Sequence, residues 1–158
     1  MENSTQARDD ARQIWLSGVD AVRADRLVHK ALRCEANILS LGGQTCDLSD
    51  VNQIAVVGAG KGGASMAAAI EDVLGPDLVK NKVVGWVNIP ADCVRPLQKI
   101  HLHAARPASV NEPTEEGVAG TDEILKILSS LAPTDLCLVL ISGGGSALLP
   151  APQSPITL

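Results

Sequence analysis

Ile54-Ala55-Val56-Val57-Gly58-Ala59-Gly60-Lys61-Gly62-Gly63-Ala64-Ser65-Met66-Ala67-Ala68-Ala69-Ile70-Glu71-Asp72-Val73-Leu74 is the stretch that decides the fold. Its first four residues are apolar without alternation, the pattern of a strand covered on both faces as in a parallel sheet. A glycine-rich run from Gly58 to Gly63 follows at once. Small residues of high helix propensity then carry the chain to Gly75-Pro76, a helix stop. Strand, glycine loop and helix in that order open a βαβ unit.

Outward from there the alternation continues. Lys82 to Ile89 is a second strand and Ile100 to His103 a third. Residues from Arg106 to Pro113 form an irregular loop. Thr114-Glu115-Glu116 places negative charge at the start of a helix, where the dipole favours it. That helix runs to about Leu131, and Pro133 blocks its continuation. Asp135 to Ile141 is a fourth strand, followed by Ser142-Gly143-Gly144-Gly145-Ser146. Upstream, the spacing of Ile14, Val19, Val22, Leu27, Val28, Ala31 and Leu32 predicts helix from Thr5 to Cys34. Ser4 or Thr5 would cap it, and Gly18 or Ala24-Asp25 would split it. Leu41-Gly42-Gly43-Gln44 reads as a glycine stop. The fold class is therefore α/β: a Rossmann-like, mostly parallel sheet with flanking helices, preceded by a helical arm. Residues 1–45 are the arm, expected to pack on the domain, and 46–158 the α/β domain.

With 158 residues, 46% of them hydrophobic and 20% charged, the chain has the composition of one globular domain. A net charge of −5, no basic cluster, and Trp15 and Trp86 as the only aromatics argue against nucleic acid as a partner. The longest clean apolar run is Leu136 to Ile141, far short of the ~20 residues that span a membrane. The polar start, Met1-Glu2-Asn3-Ser4, opens no signal peptide, and the expected location is cytoplasmic. Cys34, Cys46, Cys93 and Cys137 form no C-x-x-C pair and read as free thiols, Cys137 as a small core residue.

The two glycine loops each follow a buried strand, where open α/β sheets bind ligands. Gly58, Gly60 and Gly63 match G-x-G-x-x-G, with Gly62 and Lys61 inside the loop. Glycines let backbone N–H groups converge on an anion, and Lys61 suits phosphate; a tight strand-to-helix turn with no ligand is the alternative. A dinucleotide site also needs an acid at the end of the second strand, and Val87-Asn88-Ile89 has none. Walker A spacing is absent. In the second loop Ser142, Gly143, Gly144, Gly145 and Ser146 offer a second anion site, or else a sharp exit turn. Neither serine fits G-x-S-x-G. His101 and His103 alternate on one strand face, as a metal pair or as ordinary strand histidines, and no metal site is assigned. Arg106 is a candidate for holding a substrate carboxylate, or an exposed loop arginine.

Val56-Val57-Gly58-Ala59-Gly60-Lys61 and Leu140-Ile141-Ser142-Gly143-Gly144-Gly145-Ser146-Ala147-Leu148-Leu149-Pro150 resemble the N-terminal domain of the bacterial glycerate 2-kinase family, some of whose members are labelled hydroxypyruvate reductases. The resemblance runs over nearly the whole chain. It implies a two-domain enzyme that transfers the γ-phosphoryl of ATP, with Mg²⁺, to the 2-hydroxyl of D-glycerate, giving 2-phosphoglycerate. It implies Lys61 as the phosphate-binding, catalytic lysine and Ser142 to Ser146 as lining of the same cleft. The family's His-Pro with a nearby Pro-Asp is replaced here by Arg106-Pro107-Ala108-Ser109-Val110-Asn111-Glu112-Pro113, so the resemblance assigns that loop no role. The chain stops at Pro155-Ile156-Thr157-Leu158, just past the second loop. The expectation is a domain truncated at its C-terminal end, a missing C-terminal domain, a weak or inactive kinase when alone, and a homodimer as one candidate assembly. The competing readings are an NAD(P)-dependent hydroxypyruvate reductase and a non-catalytic nucleotide or sugar-phosphate binding module.

Overall fold

A computed structural model describes residues 2–158, with side chains from residue 5. The chain opens with helix α1 (Glu2–Ala21) and helix α2 (Ala24–Ala31). Thr5 lies inside α1, and Ser4 as a cap lies outside the described side chains. Every α1 side chain from Thr5 to Val19 is exposed, Trp15 included, so α1 does not bury its apolar residues on the domain. The part of the arm that packs is α2, through Val28.

Helix ends at Ala31, earlier than Cys34. Residues 32–47 instead form strands β1 (Leu32–Glu35), β2 (Ile38–Leu41) and β3 (Gln44–Asp47) in an antiparallel sheet. The hairpin turns explain the difference. Ala36 and Asn37 have φ 49 and 68, and Gly42 and Gly43 have φ 55 and 83. Two consecutive left-handed residues make the tight turn that matches strand twist. Gly42-Gly43 is thus a hairpin corner rather than a helix stop. Leu32 and Leu39 of this sheet, and Leu48 beyond it, enter the main core.

The main sheet has four parallel strands: β4 (Ile54–Ala59), β5 (Val83–Pro90), β6 (Ile100–Arg106) and β7 (Leu136–Ile141), in the order β6-β5-β4-β7. Helix α3 (Gly63–Lys82) joins β4 to β5, and α4 (Glu115–Ser129) joins β6 to β7. Gly75, at φ 76 and ψ 162, is non-helical and with Pro76 ends the first helical run of α3, and a second run continues to Lys82 across the kink. Gly63 of α3 lies against Val87 and Ile89, whereas Gly120 of α4 lies against Asn88 and His103, so the two helices cover opposite faces. Thr114 caps α4 by accepting from Gly117 N at 3.0 Å. A short helix, α5 (Gly145–Leu148), follows the second glycine loop.

β4 is buried along its whole length, as its apolar run predicts. β7 is not. It is an edge strand whose Leu138 and Leu140 point inward while Val139 and Ile141 are 61% and 57% exposed. Cys137 is only half-buried for the same reason. Burial also pins polar groups. Glu71, buried in α3, accepts from the N–H groups of Gln98, Lys99 and Ile100 at 2.8, 2.8 and 3.0 Å, fixing the link between β5 and β6. Among the described residues no helix is long and apolar enough to cross a membrane, and the four cysteines are free thiols.

Candidate functional site

From β4 the chain steps to β5 on one side and returns to β7 on the other. The crevice beyond the C-terminal ends of β4 and β7 is therefore the topological switch point, where open α/β sheets bind ligands. Both glycine loops lie there. Ala59 pairs with Ile141, and each loop starts one residue later.

The loops are fastened to each other. Gly62 N–H donates to Ser142 Oγ at 2.9 Å, and Lys61 N–H donates to the Gly143 carbonyl at 3.0 Å. Gly60 N–H donates to Asn88 O and Gly63 N–H to Gly60 O. The first loop's N–H groups from Gly60 to Gly63 are all engaged within the protein. A Cβ at Gly58 would run into the Leu140 carbonyl, and one at Gly60 into Ser142. Gly58 and Gly60 are thus packing glycines, where two backbones approach without room for a methyl group, and Gly63 lets α3 sit on the Val87 and Ile89 side chains. These engaged N–H groups are not open donors in the structure.

The second loop keeps its donors free. Among the described residues the N–H groups of Gly143 and Gly144 have no protein acceptor. Gly143 has open space around it, and Gly144 adopts φ 87, a conformation that favours glycine. A Cβ at Gly144 would sit 3.3–3.7 Å from the Lys61 side-chain carbons. The lysine stem therefore lies across Gly144, and the side chain is exposed beside the second loop. Ser142 serves as an internal acceptor, Gly145 begins α5, and Ser146 is exposed in its first turn.

Lys61 also borders a second feature. With Pro90, Asp92, Cys93, Arg106, Ser109 and Asn111 it lines a cavity of about 210 Å³ at the ends of β5 and β6. Arg106 is the last residue of β6 and only 3% exposed, not an exposed loop arginine. Its Nε–H is buried with no hydrogen-bond partner among the described residues. Leaving a buried charged donor unpaired costs about 1–3 kcal/mol or more, so an arginine held this way is poised for an acceptor. Burial, with Asp92 next to it, pushes the Cys93 thiol above its usual range, so it is a poor nucleophile. Sequence reasoning named Arg106 and Lys61 but missed Asp92, Ser109 and Asn111 as their neighbours. The available signal was a polar irregular loop directly after a strand end.

His101 and His103 do share one face. They stack with Trp86, at centroid distances of 4.1 and 5.2 Å, and His103 Nε2 is 2.8 Å from Glu116 O. Among the described residues no three His, Cys, Asp or Glu side chains converge as a metal site. The dinucleotide requirement fails in space as well: β5, beside β4, ends in Asn88-Ile89-Pro90. Asn88 is buried and donates to Leu148 O at 2.9 Å.

A family model described as a domain of unknown function, DUF4147, matches residues 10–158. A protein of Danio rerio named glycerate kinase is 36% identical over 94% of this chain and 30% of its own length. A protein of Pyrococcus horikoshii named glycerate 2-kinase is 31% identical over 94% of this chain and 32% of its own. A crystal structure of a protein from P. horikoshii OT3 superposes with a TM-score of 0.78 at 26% identity, covering 96% of this chain and 32% of that one. The chain thus spans about a third of the length of the relatives it matches.

Proposed function

The chain belongs to the DUF4147 family, and on that premise we propose that it forms the N-terminal, phosphate-binding domain of a glycerate 2-kinase. The reaction moves the γ-phosphoryl group of ATP to the 2-hydroxyl of D-glycerate. The bond from phosphorus to the bridging oxygen of ADP breaks, the bond to the 2-oxygen forms, and the hydroxyl proton leaves. Phosphoryl transfer asks the protein mainly for positioning and charge stabilisation. Lys61 is the observation that carries the reading. Its backbone is tied to Gly143 and its stem lies on Gly144, so the residue is held at the switch point. In this reading the ammonium neutralises charge on the transferring group. The free N–H groups of Gly143 and Gly144 donate to phosphate oxygens, while Gly58, Gly60 and Gly62 let the two loops close on each other and Gly63 lets α3 sit against β5. Mg²⁺ would neutralise phosphate charge, but the described residues form no metal site of their own and no step is assigned to the ion.

A reductase reading has less support. The N–H groups of Gly60 and Gly63 in the G-x-G-x-x-G loop are engaged, and no carboxylate ends β5. ATP use and free thiols both suit the cytoplasm. The test is equilibrium binding of ATP and of NADH to the chain and to Lys61→Ala. ATP should bind, and the substitution should weaken it at least about tenfold, as expected for a charge-assisted contact. Equal ATP binding by both chains, no ATP binding at millimolar concentration, or NADH binding in its place overturns the reading. Phosphate transfer to D-glycerate, followed by mass spectrometry, separates an enzyme from a binding module.

A further inference from the structure

We infer that the cavity beneath Arg106 is a subsite for the carboxylate of a small hydroxy acid, with Arg106 as its anchor. Naming a hydroxy acid rests on the kinase reading above; the carboxylate site itself rests on the cavity. Arg106 is 3% exposed, and its Nε–H is buried without a partner. Among the described residues it makes no ion pair. A buried guanidinium left open on a cavity calls for a planar oxyanion, which its fork of donors fits.

Charge and size narrow the class. Lys61 and Arg106 face a single carboxylate, Asp92, across the cavity, so a monoanion balances the site. The volume is about 210 Å³. A volume of that order holds several waters, which is room for a small hydroxy acid. Ser109, held at φ 63, and Asn111 bring a hydroxyl and a carboxamide to the same cavity, groups that can both give and accept hydrogen bonds to an alcohol. Lys61 borders the cavity and the two-loop junction alike. An acid anchored at Arg106 therefore lies beside the group proposed to handle phosphate.

The experiment is an NMR titration of the 158-residue chain, following the arginine Nε–H signals, with D-glycerate, glycerol, inorganic phosphate and, separately, ATP. D-glycerate should move the Arg106 Nε–H signal and glycerol should not. Arg106→Gln should weaken D-glycerate binding about 10- to 100-fold, the loss of a hydrogen-bonded charge, and leave ATP binding in place. Three results overturn the inference: an Arg106 signal unmoved by D-glycerate, an equal response to glycerol, or a larger response to phosphate. ATP binding with an unmoved Arg106 sinks the carboxylate site alone. D-glycerate binding at Arg106 without ATP binding sinks the kinase reading alone. If Arg106→Gln fails to fold, Cys93 supplies the readout, since it lines the same cavity. D-glycerate should slow its alkylation several-fold in the unaltered chain and less in Asn111→Ala; unchanged rates reject the site.

Discussion

Gly58→Ala tests the claim that the first glycine loop is built for packing. Gly58 pairs with Leu140 across β4 and β7. A Cβ there collides with the Leu140 carbonyl oxygen and lies 2.7 and 2.9 Å from its C and Cα. Carbon atoms rest at ~3.5–4.0 Å, so β7 must retreat by about 1 Å. The obstacle is backbone, which cannot rotate away as a side chain can. Overpacking of this kind costs about 1–3 kcal/mol. Loss of two ladder hydrogen bonds adds about 1 kcal/mol each, for a total near 3–5 kcal/mol. For a domain of this size about 2–4 °C of melting temperature goes with each kcal/mol, which predicts a drop of about 6–20 °C. Gly143→Ala is the internal control. Nothing lies within 4 Å of its Cβ position, so the change should stay within about 0.5 kcal/mol. Thermal unfolding followed by circular dichroism compares the three chains. If Gly58→Ala melts within a degree or two of the parent, or if Gly143→Ala falls as far, the packing argument is wrong.

The other expectations are smaller in scope. Lys61→Ala removes an exposed side chain, so the melting temperature should barely change, whereas phosphoryl transfer by an enzyme containing this domain should fall about 10²–10³-fold or more; equal losses in both would make Lys61 structural. Glu71→Ala deprives the N–H groups of Gln98, Lys99 and Ile100 of their acceptor and should cost about 2–4 kcal/mol in urea unfolding, with Glu71→Gln losing less; a change under about 0.5 kcal/mol contradicts the pin. The hydrogen bond from Arg23 holds the Asp25 carboxyl at about 2, down from 3.8. Its folded value lies below its unfolded one, so its contribution to stability is present above pH 3.8 and fades as pH falls through about 2. A carboxyl-carbon NMR titration should find that midpoint and see it return toward 3.8 in Arg23→Ala; an unmoved midpoint rejects the cause.

Parts of the candidate site are legible in the sequence alone. Glycine loops after Val57 and Ile141 at strand ends predict a crevice between them, and the structure places both loops there. Lys61 stands out because a lysine inside a glycine turn has little packing to do. What its neighbours are depends on which backbones approach. Ser142 is 80 residues away from Gly62, yet its hydroxyl takes that residue's N–H. No local signal encodes such a pairing. Arg106 reads in sequence as a surface arginine because charged loop residues usually are, yet it closes strand β6 and is buried.

The alternation of apolar runs with small-residue helices determined by itself that this is an α/β protein. A strand in a parallel sheet must be apolar throughout, and the glycines at its end must lie at the carboxyl edge. Val139 and Ile141 show where that stops. Their apolar run is the same as that of a central strand, but tertiary order places β7 at the edge, with one face open. The hairpins at Ala36-Asn37 and Gly42-Gly43 were hidden for a related reason. Strand pairing is a contact between segments, and four-residue strands carry too short a pattern to announce it. Local propensity is written in neighbours along the chain; strand order, the engagement of each N–H and the burial of Arg106 are decided by neighbours in space.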